Sequence, residues 1–246
     1  MQNFARGVAN ALPPPVKTLL LKPYNWLAGY QRRKWVSEVF SRENMVRRER
    51  LFLTVATFVH TNRPIEGYYF EFGCNEAHTM RLAFDSFHHL VDWHYVGFDS
   101  FEGLPEIQDI DKQQIWGKGR LATTEEKFTN ICLSHGMRRD RLTTVKGFYD
   151  SSLNEATRAR LSGRGAAFIY VDCDLYHSTV PVLRFCKSFL RPGTVVAFDD
   201  WNCFLADPTK GERRAWGEFL ASNPELHFES FLETGMQKAF VCTKIA

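Results

Sequence analysis

Asp172, Asp174, Asp199 and Asp200 combine residue type and spacing in a way that could do chemistry. Each pair closes an apolar run. Phe168-Ile169-Tyr170-Val171 leads into Asp172-Cys173-Asp174, and 27 residues after Asp172 the run Val195-Val196-Ala197-Phe198 ends in Asp199-Asp200. Buried strands of a parallel sheet read as continuous apolar runs, and ligands of open α/β sheets bind beyond the carboxyl ends of the strands. Four carboxylates gathered at one crevice repel one another unless a hard, oxygen-seeking cation such as magnesium joins them. The expectation is a metal-assisted group-transfer site.

Such a site needs a sheet to carry it, and the chain supplies alternating segments. Strands are expected at 67–72, 95–98, 142–146, 166–172 and 194–199, with helices at 77–91, 123–135, 153–161, 176–190 and 211–221. This alternation implies a parallel α/β sheet with right-handed crossovers. It breaks at the end, where 226–232 and 239–243 read as two strands joined by a hairpin through Glu233-Thr234-Gly235. Upstream, Arg42 to His60 forms an amphipathic helix carrying Met45, Leu51, Phe52, Val55, Ala56, Phe58 and Val59, and Thr61-Asn62-Arg63-Pro64 ends it. Residues 1–41 are read as an extension, with Pro13-Pro14-Pro15 stopping any earlier helix and Pro23 interrupting the segment after it. Residues 42–246 form one α/β domain.

Two further motifs sit at strand ends. In Glu71-Phe72-Gly73-Cys74-Asn75-Glu76-Ala77-His78-Thr79, Gly73 lets backbone approach a ligand, and the helix beyond offers free N–H donors. The pattern is not G-x-G-x-x-G, so a pyrophosphate is less suited than a cofactor bearing a carboxylate and an amine, with Glu71 binding the cation. Asp99, at the end of the second strand, can accept hydrogen bonds from both hydroxyls of a ribose; the structural alternative is a strand-end cap of the next turn. The loop at 105–122, with Asp109, Asp111, Trp116 and two glycines, is long enough to be a lid or binding loop.

Composition limits the rest. The chain has 246 residues, 44% hydrophobic and 24% charged, with a net charge of +3. Residues 1–60 hold ten Lys/Arg against three Asp/Glu, leaving 21 against 25 in the other 186. The basic surplus, in Arg32-Arg33-Lys34 and Arg47-Arg48-Glu49-Arg50, is read as a solvated helix face rather than a nucleic-acid or membrane contact. Residues 16–30 are expected to pack on the protein's own body or a partner subunit. Six cysteines without a C-x-x-C pair fit buried free thiols. No membrane span or signal-peptide plan is seen, and a cytoplasmic protein is expected.

Together, Glu-Phe-Gly at 71–73, Phe-Asp-Ser-Phe-Glu-Gly-Leu-Pro at 98–105, Lys-Gly-Phe at 146–148, Asp-x-Asp-x-Tyr-x-Ser-Thr at 172–179 and Asp-Asp at 199–200 resemble the macrocin O-methyltransferase family over about residues 45–245. The resemblance implies a class I methyltransferase fold: a mostly parallel, seven-stranded, Rossmann-like sheet closed by an antiparallel strand, with a helical N-terminal extension. It implies S-adenosylmethionine as methyl donor, Mg2+ as metal, and a hydroxyl of a sugar or other vicinal-diol small molecule as acceptor. Glu71, Gly73, Cys74 and Thr79 would line the methionine end, Asp99 and Ser100 the ribose, and Gly147 with Phe148 the adenine. Asp172 would border the cofactor and, with Asp199 and Asp200, hold the metal. Two departures from the family pattern stand out: Ala77 and His78 replace paired glycines, and His177 replaces an acid.

Asp172, Asp199 and His177 are the catalytic candidates, His177 as a general base. Asp174 is read as a helix N-cap rather than a ligand. Lys210, Arg213 and Arg214 could hold an anionic acceptor, with a solvated helix face as the default reading, and Trp116, Trp201 and Trp216 could stack on an acceptor ring, with at least one of them expected in the core. A homo-oligomer through the N-terminal region is expected, with no nucleic-acid partner. The rival readings are a metal-independent methyltransferase acting on nitrogen or on a lipid or protein acceptor, and an idle cofactor-binding scaffold.

Overall fold

The structure, a computed structural model, describes residues 14–63, 65–112 and 117–246, with side chains from residue 25 onward. It divides into two compact units, Met1–Val46 and Arg47–Ala246. Helix α1 (Pro14–Thr61) supplies the described part of the first unit. The expected break at Pro23 does not occur. A proline removes one backbone donor and crowds one carbonyl, and here the helix runs through it unbroken to Thr61. Pro13 and Trp116 lie outside the described residues. Trp26, Tyr30, Trp35 and Phe40 are exposed on this helix, and Trp26 stacks on Tyr30 at 6.0 Å. Met45 is also exposed rather than part of the apolar stripe.

In the second unit the expected alternation is present. Strands β1 (Tyr68–Phe72), β2 (His94–Asp99), β3 (Leu142–Lys146), β4 (Ala166–Val171) and β5 (Val195–Phe198) are parallel. Strands β6 (Leu226–Thr234) and β7 (Gln237–Ile245) form an antiparallel hairpin, with Thr234 opposite Gln237, and β7 pairs antiparallel with β5. The sheet order is β3-β2-β1-β4-β5-β7-β6. Helices α2 (His78–Phe87), α3 (Glu125–Ser134), α4 (Tyr149–Ser152), α5 (Glu155–Arg160), α6 (Tyr176–Cys186) and α7 (Gly211–Ala221) connect the strands.

The sheet is covered on both faces. Leu51, Phe52, Val55, Ala56 and Val59 of α1 join Tyr69, Phe168, Tyr170, Val195 and Ala197 on one face. Phe70, Ile169, Val171, Val196 and Phe198 face α6 and α7 on the other. Side chains alternate along a strand, so Glu71, Asp172 and Asp199, two residues beyond Tyr69, Tyr170 and Ala197, continue the α1 side. Asp200 continues the α7 side. Among the described residues no helix is long and apolar enough to cross a membrane, and all six cysteines are free thiols, five of them buried.

Candidate active site

The sheet order reverses direction between β1 and β4, the crevice where ligands of such sheets bind. The ends of these two strands meet there. Gly73 has a φ of 88°, and a Cβ built on it would stand 1.8 Å from the carbonyl oxygen of Asp172. Only glycine fits this approach.

Glu71 is fully buried, and its Oε1 has no hydrogen-bond partner. Its Oε2 accepts from the Tyr69 hydroxyl at 2.5 Å. Burial pushes the Glu71 carboxyl up to about 8, against the opposing hydrogen bonds from Tyr69 and Thr79 and the charge of Arg48. A buried, unpartnered acceptor is costly, and an ammonium group would satisfy this one. Ala77 precedes α2 with φ 56°, a left-handed conformation better suited to glycine.

Asp99 takes the structural role open to it. Its oxygens accept from the backbone N–H groups of Cys74 (2.7 Å) and Phe101 (2.7 Å), so it does cap the following turn. Those bonds also fix its carboxylate at the mouth of the crevice. Burial raises its pKa, against these backbone donors. Ser100 donates to the Gly103 carbonyl at 2.8 Å, holding the same turn. Gly147 (φ 131°) donates its N–H to the Asp99 carbonyl at 2.9 Å, and the ring of Phe148 beside it is exposed.

One oxygen from each of Asp172, Asp199 and Asp200 lies within 4.8 Å of the others. The donor set, three carboxylates with the Asp200 Oδ2 buried and unpartnered, fits a hard divalent cation. Asp174 shares a hydrogen bond with Asp200. It does not cap α6: Leu175 occupies the cap position, and Asp111, fully buried in the 105–122 loop, accepts from the N–H groups of Tyr176 (2.7 Å) and His177 (3.2 Å). An aspartate from a distant loop has replaced the local cap, satisfying α6's N-terminal donors and dipole. His177 Nδ1 lies 3.1 Å from the same carboxylate.

Several participants escaped the sequence reading. Arg48 Nη2 donates to Asp172 Oδ2 (2.8 Å) and Asp199 Oδ2 (2.7 Å), and Arg47 Nη2 donates to Asp199 Oδ2 (2.9 Å). These two arginines are therefore not a solvated face; Arg47 is 7% exposed. They lie one turn before Leu51 and Phe52, on the apolar side of α1, and that spacing was the available signal. Tyr170 and Gln237 Nε2 also hydrogen-bond Asp199 Oδ1. Although burial works upward, the charges of Arg48 and Arg47 hold Asp199 below the usual carboxylate range. Burial and the Asp199 charge raise Asp172, against Arg48. Buried Glu212 accepts the Asp200 N–H at 3.0 Å, and burial with the neighbouring acids keeps its pKa well raised.

The expected acceptor contacts are partly redirected. Trp201 and Trp216 are core residues packed on Phe198 and Phe240, because the hairpin covers them. Arg213 donates to the Trp201 carbonyl and to Asn202, and Arg214 to Glu218. Lys210 is exposed.

A family model described as macrocin-O-methyltransferase (TylF) matches residues 44–223. The 8-demethyl-8-(2,3-dimethoxy-alpha-L-rhamnosyl)-tetracenomycin-C 4'-O-methyltransferase of Streptomyces olivaceus is 31% identical over 109 residues, 42% of this chain and 40% of that protein. The match thus spans less than half of that relative's length. Among solved structures, the O-methyltransferase NovP is similar with TM-score 0.62 and 19% identity, over 80% of each chain. CalS11, a calicheamicin methyltransferase, is similar with TM-score 0.61 and 21% identity, over 96% of this chain and 89% of that one. The two structural likenesses show a shared fold.

Proposed function

Because the chain belongs to the macrocin-O-methyltransferase family, we propose that it methylates a hydroxyl of a sugar-bearing natural product or its sugar precursor. S-adenosylmethionine is the donor and Mg2+ the assisting metal. The observation that carries this reading is the contact between the Gly73 turn and Asp172, which joins the strand end carrying Glu71, whose Oε1 is unpartnered, to the strand end carrying the three-acid cluster at the sheet's switch point. The rhamnosyl group in the name of the tetracenomycin relative favours a glycosylated acceptor. A vicinal diol suits the acid cluster, since two neighbouring hydroxyls can chelate one cation.

S-adenosylmethionine would supply an electrophilic methyl carbon: in-line attack by an acceptor oxygen forms the C–O bond as the C–S bond breaks, and S-adenosylhomocysteine leaves. Asp172, Asp199 and Asp200 would hold a divalent cation, whose Lewis acidity would lower the pKa of an acceptor hydroxyl. The chain's residues do the rest. Glu71 Oε1 pairs with the donor's amine, and Gly73 admits its carboxylate close to backbone. Asp99, held by the Cys74 and Phe101 N–H groups, takes the ribose hydroxyls, and Phe148 covers the adenine. Asp111 orients His177 through Nδ1, so the acceptor's proton is taken at Nε2. The N-terminal helix, with its exposed aromatic side chains, serves as a contact between copies of the chain.

A calorimetric titration with S-adenosylhomocysteine, followed by labelled-methyl transfer to a panel of glycosides, tests the reading. Absence of binding would overturn the donor, and transfer to amines alone would overturn the acceptor class.

A further inference from the structure

Asp199 is saturated. Its Oδ1 accepts from Tyr170, Gln237 and Arg48 Nε (3.3 Å), and its Oδ2 accepts from Arg47 and Arg48. The Arg48 Nη2 atom also reaches Asp172, so one guanidinium nitrogen bridges two of the three clustered carboxylates. Bridging two carboxylates is what a divalent cation at the cluster would do. A guanidinium and a hard cation cannot take the same lone pairs, and their like charges repel at such short range. Asp200, by contrast, is not among the carboxylates that Arg48 contacts, and its Oδ2 is unpartnered.

We propose that Arg48 is a resident counter-cation of the acid cluster, one that a divalent metal must displace from Asp172 and Asp199 in order to bind. The inference rests on the metal reading above. In the metal-free protein Arg48 offsets the repulsion between the buried Asp199 and the partly exposed Asp172 carboxylates and keeps them ordered. On metal binding the guanidinium swings off, and Tyr170, Gln237 and Arg47 retain Asp199 in place. Arg48 thereby sets the threshold of metal concentration at which the site fills, and Asp200 is the carboxylate available for first contact.

The test is binding of Mn2+, as a paramagnetic probe for Mg2+, followed by the electron paramagnetic resonance signal of the free ion. The proteins are the wild-type chain, Arg48→Met and Arg48→Lys, each alone and combined with Asp200→Asn. Thermal unfolding with EDTA and with Mn2+ runs in parallel, and S-adenosylhomocysteine binding confirms that each variant is folded. The expected result is Mn2+ binding at least about tenfold tighter in Arg48→Met than in wild type. That variant unfolds at a lower temperature in EDTA and gains more from Mn2+. Arg48→Lys, which keeps the charge but loses the fork, falls between the two and provides the comparison if the methionine variant does not fold. Equal Mn2+ affinity in all three, abolished by Asp200→Asn, would overturn the displacement while leaving the metal site standing. No Mn2+ binding in any of them would overturn both.

Discussion

Gly73 and Asp172 touch backbone to backbone: a methyl group on Gly73 would stand 1.8 Å from the Asp172 carbonyl oxygen. This contact joins the candidate cofactor turn to the candidate metal cluster, so displacing either strand end displaces the other. Gly73→Ala meets both the clash and a φ of 88°. It should lower stability by about 3 kcal/mol or more and abolish S-adenosylhomocysteine binding. Chemical denaturation with calorimetry would show both losses; a stable variant that binds normally would refute the contact's importance.

Glu71 gives a pH dependence of defined sign. Burial raises its folded-state pKa from the ordinary 4.5 to about 8. Between those values the folded chain holds a proton that the unfolded chain has released, so stability from this group falls as pH rises through the window. Glu71→Gln should flatten that slope. Pairing with the donor's ammonium favours the carboxylate, so S-adenosylhomocysteine binding at pH 7 should expel up to about one proton. Calorimetry in buffers of different ionisation enthalpy measures it, and Glu71→Gln should release none.

Asp111 links the long loop to α6 through the N–H groups of Tyr176 and His177. Asp111→Ala removes a helix cap from the part-buried N–H groups of Tyr176 and His177, an expected loss of about 1–2 kcal/mol. The loop should become a preferred site of proteolysis. Acceptor KM should rise more than donor affinity falls, a split that a purely global destabilisation would not produce.

His177 and Asp111 share a hydrogen bond at 3.1 Å, so the proposed proton transfer depends on that pair. His177→Gln should lower kcat by about 100-fold or more, the usual scale of general-base catalysis, with donor binding unchanged. A variant retaining full kcat would remove His177 from the mechanism.

Much of this architecture was legible in the residues themselves. The runs ending at Val171 and Phe198 are continuous and apolar because those strands are covered on both faces, and the acids that follow mark their carboxyl ends. Three of the four acids picked from the sequence come within 4.8 Å. What was hidden depended on long-range contact. Asp111 lies in a segment without periodicity and caps a helix 65 residues away. Arg47 and Arg48 sit inside a run of charges, and only their register with Leu51 and Phe52 reveals that they point inward. Trp201 and Trp216 are buried by a hairpin whose position no local pattern specifies.

The most direct measurement is transfer of a labelled methyl group from S-adenosylmethionine to a glycosylated vicinal-diol acceptor, in Mg2+, in EDTA, and with Mg2+ restored. The account predicts an O-methyl ether formed in Mg2+, lost in EDTA and recovered on restoration, with Asp200→Asn inactive throughout. Turnover undiminished by EDTA and by Asp200→Asn would contradict it.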